Sequence, residues 1–309
     1  MNISLLDVDG HHFPNLALCK IARYHKDRGD NVEWYSPLLS NPDKIYASKV
    51  FTFTPDYLDY APSHPEPIKG GTGYDITSKL PEEIESCLPD FSIYPESIIR
   101  NKITKKLQSF GFLTRGCIRH CPWCVVPLKE GAIKAVSDIE IVAQGRKTVT
   151  LMDNNFLASD ENFIEEQLEK IHKMKLRIDF NQGLDARLVT DKNAKLLAKC
   201  SFIKYIRFAC DTMQSFPAFK NAVELMRKNG YKGGIFCYIL AKDVEETHER
   251  ILKVLSIDDK IRPFCQPYRN FEKNEEPPSR KMNALASWCN RVEIRKSTTF
   301  ENYTRRKER

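Results

Sequence analysis

From about Lys106 to Gln266 the chain alternates between short β-branched or aromatic runs and longer stretches with apolar residues at helical spacing. The pattern predicts strands over 111–114, 148–152, 177–180, 205–209, 234–240 and 261–266. It predicts helices over 137–144, 160–174, 191–199, 214–229 and 244–255, with 279–291 as a sixth. Ser137, Asp160 and Asp191 are residue types that cap helix N-termini. Strands that each feed a helix run parallel, because a crossover returns the chain to the same end of the sheet. Six such units predict an α/β fold built on a partial (β/α)6 TIM-type barrel, rather than a closed eightfold one. In that arrangement functional groups gather where the strands end.

The first hundred residues repeat the alternation on a smaller scale. Strands are predicted over 3–8, 31–35 and 49–54, and helices over 16–28 and 81–87. Pro42, Pro55, Pro62, Pro65 and Pro67 make the stretch between loop-rich. This pattern predicts a small doubly wound (flavodoxin-like) domain over 1–100, followed by the barrel over 106–275 and by a C-terminal helix and basic tail over 276–309.

With 29% charged and 41% hydrophobic residues, the 309-residue chain is expected to pack as a globular protein. No apolar run approaches a membrane span, and Asp7 and Asp9 interrupt the only apolar stretch near the N-terminus, so a cytoplasmic location without membrane contact is expected. In a reducing compartment its ten cysteines stay thiols, and a tight group of them points to metal. The formal charge is +7, with Arg295, Lys296, Arg305, Arg306, Lys307 and Arg309 crowded at the end. Such a tail suits either plain solvation or contact with nucleic acid.

The tightest group is Gly111-Phe-Leu-Thr-Arg-Gly-Cys117-Ile-Arg-His-Cys121-Pro-Trp-Cys124. Three soft thiolates on one loop after a strand suit an iron–sulfur cubane and leave its fourth iron open. The alternative is structural zinc with His120 as fourth ligand, although zinc sites usually come as two separated pairs and no second CxxC occurs here. Cys200, Cys210, Cys237, Cys265 and Cys289 are scattered and read as core residues.

CxxxCxxC with an aromatic before the last cysteine, at the end of a first barrel strand, resembles the radical S-adenosylmethionine (radical SAM) superfamily over about residues 106–275. The resemblance implies that Cys117, Cys121 and Cys124 bind a 4Fe–4S cluster and that SAM chelates the fourth iron through its amino and carboxylate groups. It implies reductive cleavage of SAM to a 5′-deoxyadenosyl radical that abstracts hydrogen from a substrate, with flavodoxin or ferredoxin as reductant. Trp123 matches the family's aromatic near adenine. Asp153 and Asn154 stand where the family often has a Gly-Gly-Glu-type motif for the amino group, and here the chain departs from it. Asn181 and Gln182 are expected to meet the ribose or substrate, and Arg187 the SAM carboxylate. Arg207 is expected either inside the barrel or in a buried structural pair.

A doubly wound domain before such a barrel resembles the cobalamin-binding subclass. Asp9-Gly10-His11 matches half of its Asp-x-His-x-x-Gly motif, but Pro14 replaces the glycine, and Gly70-Gly71-Thr72-Gly73 resembles its glycine turn. A degenerate, cobalamin-free domain is expected. Methylthiotransferase-like modification of RNA or protein is a further reading, weakened because only Cys19 and Cys87 precede the motif where such enzymes carry three cysteines. A non-catalytic metal-binding protein that touches nucleic acid is the alternative from another class. The substrate is not legible.

Overall fold

A computed structural model describes residues 1–269 and 277–303. Strand β1 (Asn2–Asp7), helix α1 (Leu16–Lys26) and strands β2 (Asn31–Trp34), β3 (Lys44–Ser48) and β4 (Ile68–Gly70) open the chain. The four strands form one parallel sheet in the order β2-β1-β3-β4. Asn15 caps α1 by accepting from the N–H groups of Ala17 and Leu18, and Leu18, Ile21 and Ala22 pack on Ile3 and Leu5. Only the first crossover carries a helix. The third strand lies at Lys44–Ser48, not at 49–54. The Asp9 carboxylate holds the latter stretch as a loop, accepting from the N–H groups of Val50 and Phe51 and the Thr54 hydroxyl.

Helices α2 (Glu82–Glu85) and α3 (Glu96–Ile99) lead to β5 (Gln108–Gly111), β6 (Thr114–Arg115), α4 (Val126–Lys129), β7 (Lys134–Ala135), α5 (Ile139–Ala143) and β8 (Thr148–Leu151). Then come α6 (Glu161–Lys173), β9 (Arg177–Phe180), α7 (Asp191–Lys199), β10 (Ser201–Phe202), β11 (Tyr205–Ala209) and α8 (Phe216–Lys228). The chain continues through β12 (Gly234–Ala241), α9 (Val244–Leu255), β13 (Ile261–Pro267), α10 (Arg280–Asn290) and α11 (Val292–Ser297). The fold is thus mixed α/β with parallel sheets. Two of them follow the first, in the orders β10-β9-β8-β5 and β11-β12-β13. They meet where Leu184 pairs with Phe208 and donates its N–H to the Arg207 carbonyl at 2.8 Å.

Alternation along the strands separates two faces. In β12, Ile235, Cys237, Ile239 and Ala241 are buried in one core with Phe219 of α8, Ile251 of α9 and Leu285 of α10, while Phe236 and Tyr238 are half-buried on the other face. The strand predicted at 111–114 is broken in two, because the Asp153 side chain takes the N–H groups of Leu113 and Thr114 out of the ladder. Asp160 does cap α6, but Asp138 and Thr190, not Ser137 and Asp191, cap α5 and α7. Arg295 is half-buried and bonds the Cys289 carbonyl, so it is not a free tail charge; Arg305, Arg306, Lys307 and Arg309 lie outside the described residues. No helix among the described residues is long and apolar enough to cross a membrane.

Candidate functional site

The cysteines lie on a loop that is closed at its base. β6 and β7 pair antiparallel across it, and the Cys117 N–H donates to the Gly131 carbonyl at 3.2 Å. Arg115 grips Glu130 with two bonds of 2.9 and 2.8 Å and reaches Glu85 at 2.8 Å. Gly116 turns with φ +89°, and a Cβ there would lie 2.2 Å from the Ala132 carbonyl oxygen, so only glycine lets the two arms of the loop touch.

Three consecutive residues after β8 stitch this loop in place. Asp153, 3% exposed, accepts from Leu113 N, Thr114 N and the Thr114 hydroxyl, the last at 2.8 Å. Burial raises its pKa to about 6, against the pull of those bonds. Asn154 Oδ1 accepts from Gly116 N at 2.9 Å. Asn155 Nδ2 donates to Cys117 Sγ at 3.3 Å, and Arg119 N donates to the same sulfur at 3.3 Å. Asp153 and Asn154 therefore hold backbone in this structure, and Asn155, the neighbour that sequence reasoning did not select, reaches the thiol.

Cys117, Cys121 and Cys124 are half-buried, whereas Cys200, Cys210, Cys237, Cys265 and Cys289 are buried. Burial raises the Cys121 pKa against the nearby Arg187 guanidinium, and burial raises that of Cys124 too. Arg187 donates Nε and Nη2 to Asp185 at 2.7 and 3.0 Å, and Arg119 of the cysteine loop donates to the same carboxylate at 3.0 Å. Burial works to raise the Asp185 pKa, but the two guanidinium groups outweigh it and hold the carboxyl below its ordinary value. Among the described residues no three His, Cys, Asp or Glu side chains are grouped to hold a metal ion.

No family model matches the chain, and no curated protein does.

The other residues singled out in the sequence lie on the cysteine loop, after β9 and on β11. Trp123 faces the Lys242 ammonium at 4.7 Å, and the same ammonium lies 4.4 Å from the Tyr268 ring. Gln182 is exposed, and the Asn181 carbonyl accepts from the Tyr238 hydroxyl at 2.7 Å. Arg207 is half-buried and forms a two-point pair with Asp179 at 2.5 Å, with its third nitrogen on Tyr238 Oη at 3.1 Å. It thus projects from the half-buried face of the sheet and is paired there as well.

Beside the N-terminal sheet the His11 ring lies tilted against Trp34, with centroids 4.0 Å apart. A Cβ on Gly71 would lie 2.4 Å from the Lys49 carbonyl oxygen, and one on Gly73 would lie 2.8 Å from that of Phe51. The glycine turn makes room for this chain's own backbone.

Proposed function

We propose that the chain is a radical SAM enzyme whose six barrel strands are β5, β8, β9, β11, β12 and β13. The observation that carries the reading is the cysteine loop, clamped at its base and stitched to the end of β8 by Asp153, Asn154 and Asn155. Three half-buried thiols, two N–H donors on one of them and a guanidinium beside another fit the ligand chemistry of a 4Fe–4S cluster. Cys117, Cys121 and Cys124 would hold it. When bound, the cluster supplies the electron that cleaves SAM to methionine and a 5′-deoxyadenosyl radical.

The chain's own residues then bind, orient and exclude water. Arg187 stands by Cys121 with Nε and Nη2 committed to Asp185, which leaves Nη1 for a carboxylate. Trp123 offers a ring face to adenine once Lys242 withdraws. Asp179, Arg207 and Tyr238, with Phe236 and Phe264, give the inner face of the strands both polar and stacking groups for substrate. Flavodoxin or ferredoxin would deliver the electron.

Anaerobic reconstitution of the full chain with iron and sulfide tests the reading. A 4Fe–4S spectrum that changes on adding SAM is expected, with 5′-deoxyadenosine formed under dithionite, and loss of the spectrum in Cys121→Ala. Tetrahedral zinc in its place, with no SAM turnover, sinks the reading.

A further inference from the structure

We propose that Asn155 sets the reduction potential of the cluster through the hydrogen bond from its Nδ2 to Cys117 Sγ. The proposal rests on the reading that Cys117 binds an iron–sulfur cluster.

Asn155 is 3% exposed, and its only side-chain hydrogen bond among the described residues is the 3.3 Å contact with the sulfur. Its Oδ1 is buried without a partner. An unpartnered buried acceptor costs about 1–3 kcal/mol, and a neutral thiol is too weak an acceptor to offset that. Asn155 also makes none of the bonds to the loop's backbone, since Asp153 and Asn154 take the N–H groups of Leu113, Thr114 and Gly116. A stability role therefore leaves the amide unexplained.

A negatively charged sulfur changes the balance. An N–H donor to a charged acceptor makes a shorter and stronger bond, and in a buried setting no water competes for it. Reduction adds one electron, drawn from the external reductant, and neither a proton nor a covalent bond at Asn155 changes. The added charge spreads onto the ligand sulfurs, so the amide stabilises the reduced state more than the oxidised one and raises the midpoint potential. The other donor to this sulfur, Arg119 N, is backbone and cannot be removed by substitution. Asn155 acts through the ligand and is a positioning residue.

The test is an anaerobic dithionite titration followed by electron paramagnetic resonance. It compares the reconstituted full-length wild type with Asn155→Ala and with the near-isosteric Asn155→Leu. Both variants should load the cluster and show a midpoint about 59 mV lower, the one-electron equivalent of a tenfold change in the reduction equilibrium. An unchanged or higher midpoint in either loaded variant overturns the proposal. Loss of the cluster from both variants, while the wild type loads, also overturns it, because Asn155 then serves assembly. A wild type that takes up no cluster removes the reading beneath it. Equal potentials in loaded proteins remove this proposal alone.

Discussion

Asp153 holds its three donors from inside the protein, where a carboxylate is least at ease. Its folded pKa of about 6 lies above the 3.8 of an unfolded chain, so the folded protein keeps a proton that the unfolded chain releases. That contribution to stability is full below the unfolded pKa and is lost as pH rises through the folded one. Asp7, which accepts from the Tyr94 hydroxyl, is raised to about 6 by burial and adds in the same direction. In urea titrations of the cluster-free protein, Asp153→Asn should gain roughly 2–3 kcal/mol on the wild type between about pH 4 and pH 7. Parallel pH curves would contradict it. Asp153→Ala should cost about 3 kcal/mol below about pH 4, because three donors lose their acceptor, and less as pH rises and the wild type loses the stability that depends on its proton. At this scale the sequence shows a polar strand end but not the partner of each side chain. A run of Asp153-Asn154-Asn155 after a strand announces a polar strand end. Which of them turns toward backbone and which toward sulfur depends on tertiary geometry that no local pattern encodes. Arg207 makes the same point: its partner Asp179 lies on β9, in the other sheet.

The cysteine loop is legible as a motif but not as a shape. Its cysteine spacing can be read in the chain, while the β6–β7 clamp at its base is formed by Thr114–Arg115 and Lys134–Ala135, two-residue strands too short to register as periodicity. Gly116 is the point where the clamp is tightest. Gly116→Ala adds a methyl against the Ala132 carbonyl at a backbone angle that L residues avoid. It should cost about 2–4 kcal/mol in the cluster-free protein and cut iron uptake, as read by urea unfolding and by iron content after reconstitution. Unaltered values on both would show that the loop can rearrange freely. Regular elements bounded by turn residues are more legible. The bounds of α7, α9, β9 and β11 match those expected, because nine- to twelve-residue amphipathic runs and apolar strands between turn residues carry strong signals.

Across the whole molecule the N-terminal sheet and the later strands share a seam. Phe110 of β5 is 2% exposed and packs on Phe13 at 4.9 Å and Phe91 at 5.7 Å, in one cluster with Cys19, Tyr94 and Ile99. Arg115 reaches across to Glu85, the Arg146 guanidinium lies 4.9 Å from the Phe91 ring, and Gln144 bonds the Pro89 carbonyl at 3.2 Å. The seam predicts that the two parts unfold together. The wild type should unfold in a single calorimetric transition, and Phe110→Ala should lower stability by about 3–5 kcal/mol and split or broaden that transition. Two separate transitions already present in the wild type would refute the coupling. The sequence pattern implied an N-terminal unit, yet its third strand was placed one loop too late. The β-branched and aromatic run 49–54 looks like a strand locally, and Asp9, forty residues earlier, decides otherwise.

The Lys242 ammonium between Trp123 and Tyr268 has an optical consequence. Of the three tryptophans, Trp34 and Trp288 have their indole N–H groups on the carbonyls of Ile93 and Thr298, while Trp123 sits on the cysteine loop itself. The iron–sulfur cluster proposed for that loop would absorb where indole emits, so its assembly should quench Trp123 emission by energy transfer. Displacing the lysine should shift what emission remains. The chain carries its own fluorescent gauge of the loop, readable without a label.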